Sequence, residues 1–116
     1  MNDVLIDRAV LDDLFEHIGP EAARSVIDLF LGETRDYVAR ISGISTDPAA
    51  RDTARKAAHS LKSSAGQIGT SALASIAERI ERAAETGKDL SELISPLQKC
   101  ADETAAMLSQ LLSGRG

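Results

Sequence analysis

Apolar residues recur along this chain at intervals of three and four with polar residues between them, the period of helices that bury one face. Asp7 is a predicted N-cap for a short helix reaching about His17, with Val10, Leu11, Leu14, Phe15 and Ile18 as its apolar face. Gly19 stops it, and Pro20 suits the first turn of a second helix over residues 20–42. Ala23, Val26, Ile27, Phe30, Tyr37, Val38 and Ile41 form the predicted buried side of that helix. Residues 43–47 read as a loop, and Asp47-Pro48 opens a third helix that ends near Ile68. After Gly69-Thr70, the spacing Leu73, Ile76, Ala77, Ile80, Ala84 predicts a fourth helix over residues 71–86, closed by Gly87. Leu90, Leu93, Ile94, Leu97, Ala101, Ala105, Leu108 and Leu112 carry the last. Pro96 interrupts this stripe, so either the helix kinks there or a turn ends at Ile94 and Ser95 caps a new start. Residues 1–6 read as a loose lead, with Val4 and Ile6 over the end of the bundle, and residues 113–116 as a fraying tail.

No stretch alternates polar and β-branched residues, so no strand competes with these helices. The predicted fold is all-α, an antiparallel four-helix bundle with a short additional N-terminal helix packed across one end. Residues 1–116 are expected to form one such domain. Alanines on the inner faces of the third and fourth helices predict a close approach of that pair.

Composition narrows the partners. With 43% hydrophobic residues but only two Phe, one Tyr and no Trp, the core is aliphatic. A net charge of -5 argues against nucleic acid, whose phosphates need a basic surface. Cys100 is the sole cysteine, which fits a reducing compartment. No apolar run approaches the roughly 18 residues that cross a bilayer, and no signal-peptide pattern opens the chain. The expectation is a cytoplasmic monomer without a membrane partner, although an excised domain of a larger membrane kinase would read the same way.

The third helix carries the candidate chemistry. At about 100° per residue, Ala54, Ala57, Ala58, Leu61, Ala65 and Ile68 fall roughly 160 to 260° from His59 and form the buried stripe. Asp52, Arg55, Lys56, Lys62, Ser63 and Gly66 lie within about 60° of the histidine, on the solvent side. An exposed imidazole is largely neutral at cytoplasmic pH and offers one ring nitrogen as a nucleophile. Lys62, one turn on, places an ammonium beside whatever bonds to that nitrogen, and a phosphoryl group suits it. Ser63 and Gly66 leave the surface nearly bare, so another protein can approach the ring. The reading from the residues is a histidine that accepts and hands on an anionic group.

The run His59-Ser60-Leu61-Lys62-Ser63-Ser64-Ala65-Gly66-Gln67-Ile68-Gly69 resembles the signature of histidine phosphotransfer (HPt) domains, the carriers of two-component phosphorelays. His59, Leu61, Lys62, Gly66, Gln67, Ile68 and Gly69 carry the match, with Ala58 before them. Ser63 departs from it, standing where the family most often has glycine. The resemblance implies His59 as phosphoacceptor, Lys62 as phosphate support, and a receiver domain or hybrid histidine kinase as partner, with Mg²⁺ and an acidic pocket on the receiver. This chain itself needs no cofactor. Gln67, about 80° from His59, is a candidate hydrogen-bond donor to the ring or an incoming phosphoryl oxygen. Arg55 and Lys56 are candidates for steering an acidic partner, and Ser63 and Gly66 for its close contact.

Other chemistries fit less well. Two histidines and one cysteine at unrelated spacings do not make a zinc site. No phosphate-binding loop or kinase signature is present, so the chain is expected to be a carrier and not an ATP-cleaving enzyme. A nucleophilic triad needs a buried carboxylate orienting His59, and the helix is expected to hold the ring in solvent instead. His17 reads as a helix C-terminal cap, and Cys100 as packing. The competing function is an HPt-like module that binds a receiver or kinase without carrying phosphate. A purely structural bundle is the weaker alternative.

Overall fold

The computed structural model describes residues 4–43 and 48–114. Five helices follow one another: α1 (Arg8–Ile18), α2 (Pro20–Ser42), α3 (Pro48–Ile68), α4 (Ser71–Glu85) and α5 (Ser91–Gly114), with no strand among the described residues. Each of α2 to α5 packs on the next, and α5 closes back on α2, so four helices surround a shared core. Ile27, Ile41, Leu61, Leu73, Ile80, Leu97 and Leu108 are buried in it. The α3–α4 contact is the most extensive, as the small side chains Ala54, Ala58, Ala65 and Ala77 on the inner faces allow. α1 lies on α2 and α3 at the end where α3 gives way to α4.

That end is locked by a glycine under two constraints. Gly69 has φ +90°, which lets the Thr70 N–H donate to the Ala65 carbonyl at 2.9 Å and ends α3. A Cβ on Gly69 would also lie 2.9 Å from both the Asp7 carbonyl oxygen and Val10 Cβ. The space is occupied because the N-terminal lead is clamped: the Asp7 N–H donates to Gly69 O at 2.7 Å, and the Ala72 N–H to Val4 O at 3.0 Å. Residues 4–7 are therefore not loose. Ile6 is buried as expected, while the Val4 side chain stays exposed. Gly69→Ala is expected to lower stability by about 1–3 kcal/mol in thermal unfolding; a variant as stable as wild type would show that the clamp does not constrain this turn.

The structure differs from the sequence pattern in the burial of several residues and at the end of the last helix. Val26 and Ile18 are 39% and 43% exposed, although both belong to apolar stripes. The buried arc of α2 centres on Ala23, Ile27 and Thr34, and Val26 lies about 100° round from Ile27. Ile18 closes α1, where the chain turns at Gly19. Tyr37 and Val38 are only half-buried, whereas polar Thr34 is buried. Helix α5 runs through Pro96, which lies in its second turn and forfeits the bond to one carbonyl, that of Glu92. It continues to Gly114, so Ser113 is helical; residues 115–116, residues 1–3, and the 44–47 loop with Asp47 lie outside the described residues.

Candidate functional site

Burial of Ala54, Ala57, Ala58, Leu61, Ala65 and Ile68 fixes the rotation of α3 and turns His59 outward, its side chain 59% exposed. The ring is nonetheless held from one side. Glu81 of α4 is buried, its side chain only 9% exposed, and it reaches across the close α3–α4 contact. Its Oε2 lies 2.7 Å from His59 Nδ1, and its Oε1 accepts a hydrogen bond from Lys62 Nζ at 2.8 Å. The expectation that no buried carboxylate orients His59 is therefore corrected. The helix does leave the ring in solvent, and a second helix supplies the acid.

The charges fix the tautomer. The Lys62 ammonium above all, and the His59 ring after it, hold the Glu81 carboxyl below the ordinary carboxylate range despite its burial. Glu81 in turn raises the affinity of Lys62 for its proton. An ionised carboxylate only accepts hydrogen bonds, so Nδ1 is the nitrogen that donates to it. In the neutral ring the lone pair is then on Nε2.

The cations around the ring are paired. Arg55 donates to Asp52 Oδ1 from Nε at 3.2 Å and Nη2 at 2.9 Å, and Lys56 Nζ lies 3.3 Å from Asp52 Oδ2. Arg55 first, and Lys56 with it, holds the Asp52 carboxyl below its usual range. On α4, Arg82 donates to Glu78 Oε1 at 3.1 Å.

Past the ring the surface is bare. Ser63, Gly66 and Gln67 are exposed. A Cβ on Gly66 would meet nothing within 4 Å, and its φ is not positive. Neither packing nor backbone geometry within this chain requires a glycine there, although a mid-helix glycine costs roughly 0.5–1 kcal/mol against alanine. The residue in the signature that does need to be glycine for the fold is Gly69.

The structure thus brings His59 and Lys62 together through Glu81, and places Arg55, Lys56, Ser63 and Gly66 on the same exposed side of α3. Gln67 shares that helix, but the Nδ1 of His59 is taken by Glu81 instead. His17 stands apart in the last turn of α1, where its Nδ1–H donates to the Asp13 carbonyl at 2.7 Å, while the cap itself is the Gly19 N–H on the Phe15 carbonyl. Cys100 is half-buried in α5, and burial raises its thiol pKa. Among the described residues, no group of three or more His, Cys, Asp or Glu is placed to hold a metal ion, and no helix is long and apolar enough to cross a membrane.

A four-helix bundle thus holds an exposed histidine of α3 by a buried acid of α4. Residues 25–114, from within α2 to the end of α5, match the Hpt domain family, so the chain belongs to that family of phosphotransfer modules in two-component signalling. Neither the curated proteins nor the solved structures compared with the chain yield a match.

Proposed function

We propose that His59 carries a phosphoryl group between this chain and the aspartate of a receiver domain, by way of a phosphohistidine at Nε2. The observation that carries this reading is the 2.7 Å contact between Glu81 and Nδ1 of an imidazole that is otherwise in solvent. With Nδ1 protonated and held, the Nε2 lone pair attacks the phosphorus of the partner's aspartyl phosphate. A P–N bond forms, the P–O bond to the aspartate breaks, and the aspartate leaves as a carboxylate with its electron pair. No proton has to move. The ring becomes a phosphoryl imidazolium whose positive charge rests on the Glu81 carboxylate. Reversal of these steps returns the group.

Such a transfer requires chiefly in-line positioning and charge neutralisation. Lys62 contributes the nearest ammonium; one of its three donors is engaged by Glu81, and two remain for phosphoryl oxygens. Gly66 and Ser63 admit the partner, and Arg55 and Lys56 attract its acidic pocket, where Mg²⁺ is expected on the receiver. The chain acts as a carrier and cleaves no ATP itself.

The test is labelled transfer from a phosphorylated receiver domain, followed by the chemistry of the label. It is expected to be lost in acid and kept in alkali, and ³¹P NMR is expected to place it on Nε2. An acid-stable label, or one on Nδ1, would overturn the reading.

A further inference from the structure

We propose that Arg82 is a second phosphate-contacting residue, held off the acceptor ring in the resting protein by Glu78 and released to the phosphoryl group when it arrives. The inference rests on the carrier reading above and adds α4 to the phosphate-binding machinery.

Glu78 stands about 60° round α4 from Glu81, and Arg82 about 40° further round in the same direction, so Glu78 lies between the acid that holds the ring and the arginine. Glu81 is the inner member and holds His59 and Lys62, while Glu78 and then Arg82 lie progressively further out toward solvent. Helical side chains lean toward the N-terminus. The Arg82 guanidinium is drawn back one turn along α4 to Glu78 Oε1 at 3.1 Å, past the level of the Glu81 backbone. Both charges reach the site: Glu78 strengthens the hold of Lys62 on its proton, and Arg82 weakens it.

Charge accounting then singles out Arg82. A phosphoryl group brings a charge of about -1.5 to -2 by analogy with phosphorylated hydroxyl residues, and the charge of Lys62 is already balanced by a buried carboxylate. Among the remaining cations, Arg55 and Lys56 converge on a single acid, Asp52, and Arg55 makes two hydrogen bonds to it. Arg82 has one hydrogen bond to Glu78, and the two side chains are 75% and 45% exposed. Exposed pairs of this kind exchange at little cost. A guanidinium also matches phosphate oxygens with a planar fork, which an ammonium does not. Glu78 acts in this scheme as a competing anion that tunes how long the phosphoryl group stays.

The test compares wild type, Arg82→Gln, Glu78→Gln and the double variant, each phosphorylated with phosphoramidate and followed by ³¹P NMR. Arg82→Gln is expected to raise the pKa of the phosphoryl group and to shorten the phosphohistidine lifetime, on the order of three- to tenfold. Glu78→Gln is expected to do the reverse, and the double variant to behave as Arg82→Gln alone. Unchanged titration and lifetime in both single variants would overturn the proposal. An effect of Glu78→Gln that persists in the Arg82→Gln background would also overturn it, because Glu78 would then act by its own charge. A wild-type chain that takes no phosphoryl group at His59 would instead remove the carrier reading itself.

Discussion

His59→Gln is expected to fold as wild type does and to take no label from a phosphorylated receiver. The side chain is mostly in solvent, and an amide in its place still donates to Glu81, so the change in stability should stay within about 1 kcal/mol. The loss of transfer is expected to be complete because no other described residue combines an accessible imidazole with a carboxylate on its second nitrogen. His17 is the natural control. Its Nδ1–H is spent on a backbone carbonyl of α1, so His17→Gln should label as wild type does. Labelling of His59→Gln above background, or its loss in His17→Gln, would place the acceptor elsewhere.

The second large effect is expected at Glu81. In Glu81→Ala the ring is free to exchange tautomers and its developing positive charge lies next to no anion, so transfer should fall on the order of 10- to 100-fold. Glu81→Gln keeps an oxygen that accepts from Nδ1 and should recover part of the loss. A purely structural role would depress both variants in proportion to their stability. The ¹⁵N shifts of the imidazole separate the two cases: wild type should show a protonated Nδ1 and an unprotonated Nε2, and Glu81→Ala a mixture. If Glu81→Ala keeps the wild-type tautomer and rate, Glu81 does not position the ring.

The same carboxylate sets an expected pH dependence. Its pKa is lower in the folded chain than unfolded, because Lys62 and His59 bond to its ionised form. The stability it contributes is therefore fully present above the ordinary glutamate pKa of about 4.3 and is lost as pH falls through the lower folded value. Acid unfolding of Glu81→Gln should lack this component, and identical pH profiles for variant and wild type would contradict it.

Much of this molecule is legible along the chain because helices repeat their environment every three or four residues. The stripe Ala54, Ala57, Ala58, Leu61, Ala65, Ile68 is enough to rotate α3 and put His59 outside. Thr34, Val26 and Ile18 escape that logic. Periodicity tells which side of a helix is apolar but not how wide an arc its neighbours cover, and α1 and α2 cover less than their stripes offer. Glu81 is different in kind. It sits between Ile80 and Ala84 at the edge of the α4 stripe, where an acid reads as ordinary helix surface. An acid four residues after Ala77 and three before Ala84 was a signal that this position faces a neighbour, though not which side chain it meets there.

Local sequence determined the five helices, the rotation that exposes His59, and the small residues beside it, since each depends on spacing within one helix. It also determined the family signature. Only the tertiary structure decided that a residue 22 positions away holds the His59 ring, that Lys62 is shared with that residue, and that Gly69 is required by the fold while Gly66 is not. These depend on how α4 and the N-terminal lead pack against α3, and contacts between helices follow from the shape of the whole core, which no single period encodes.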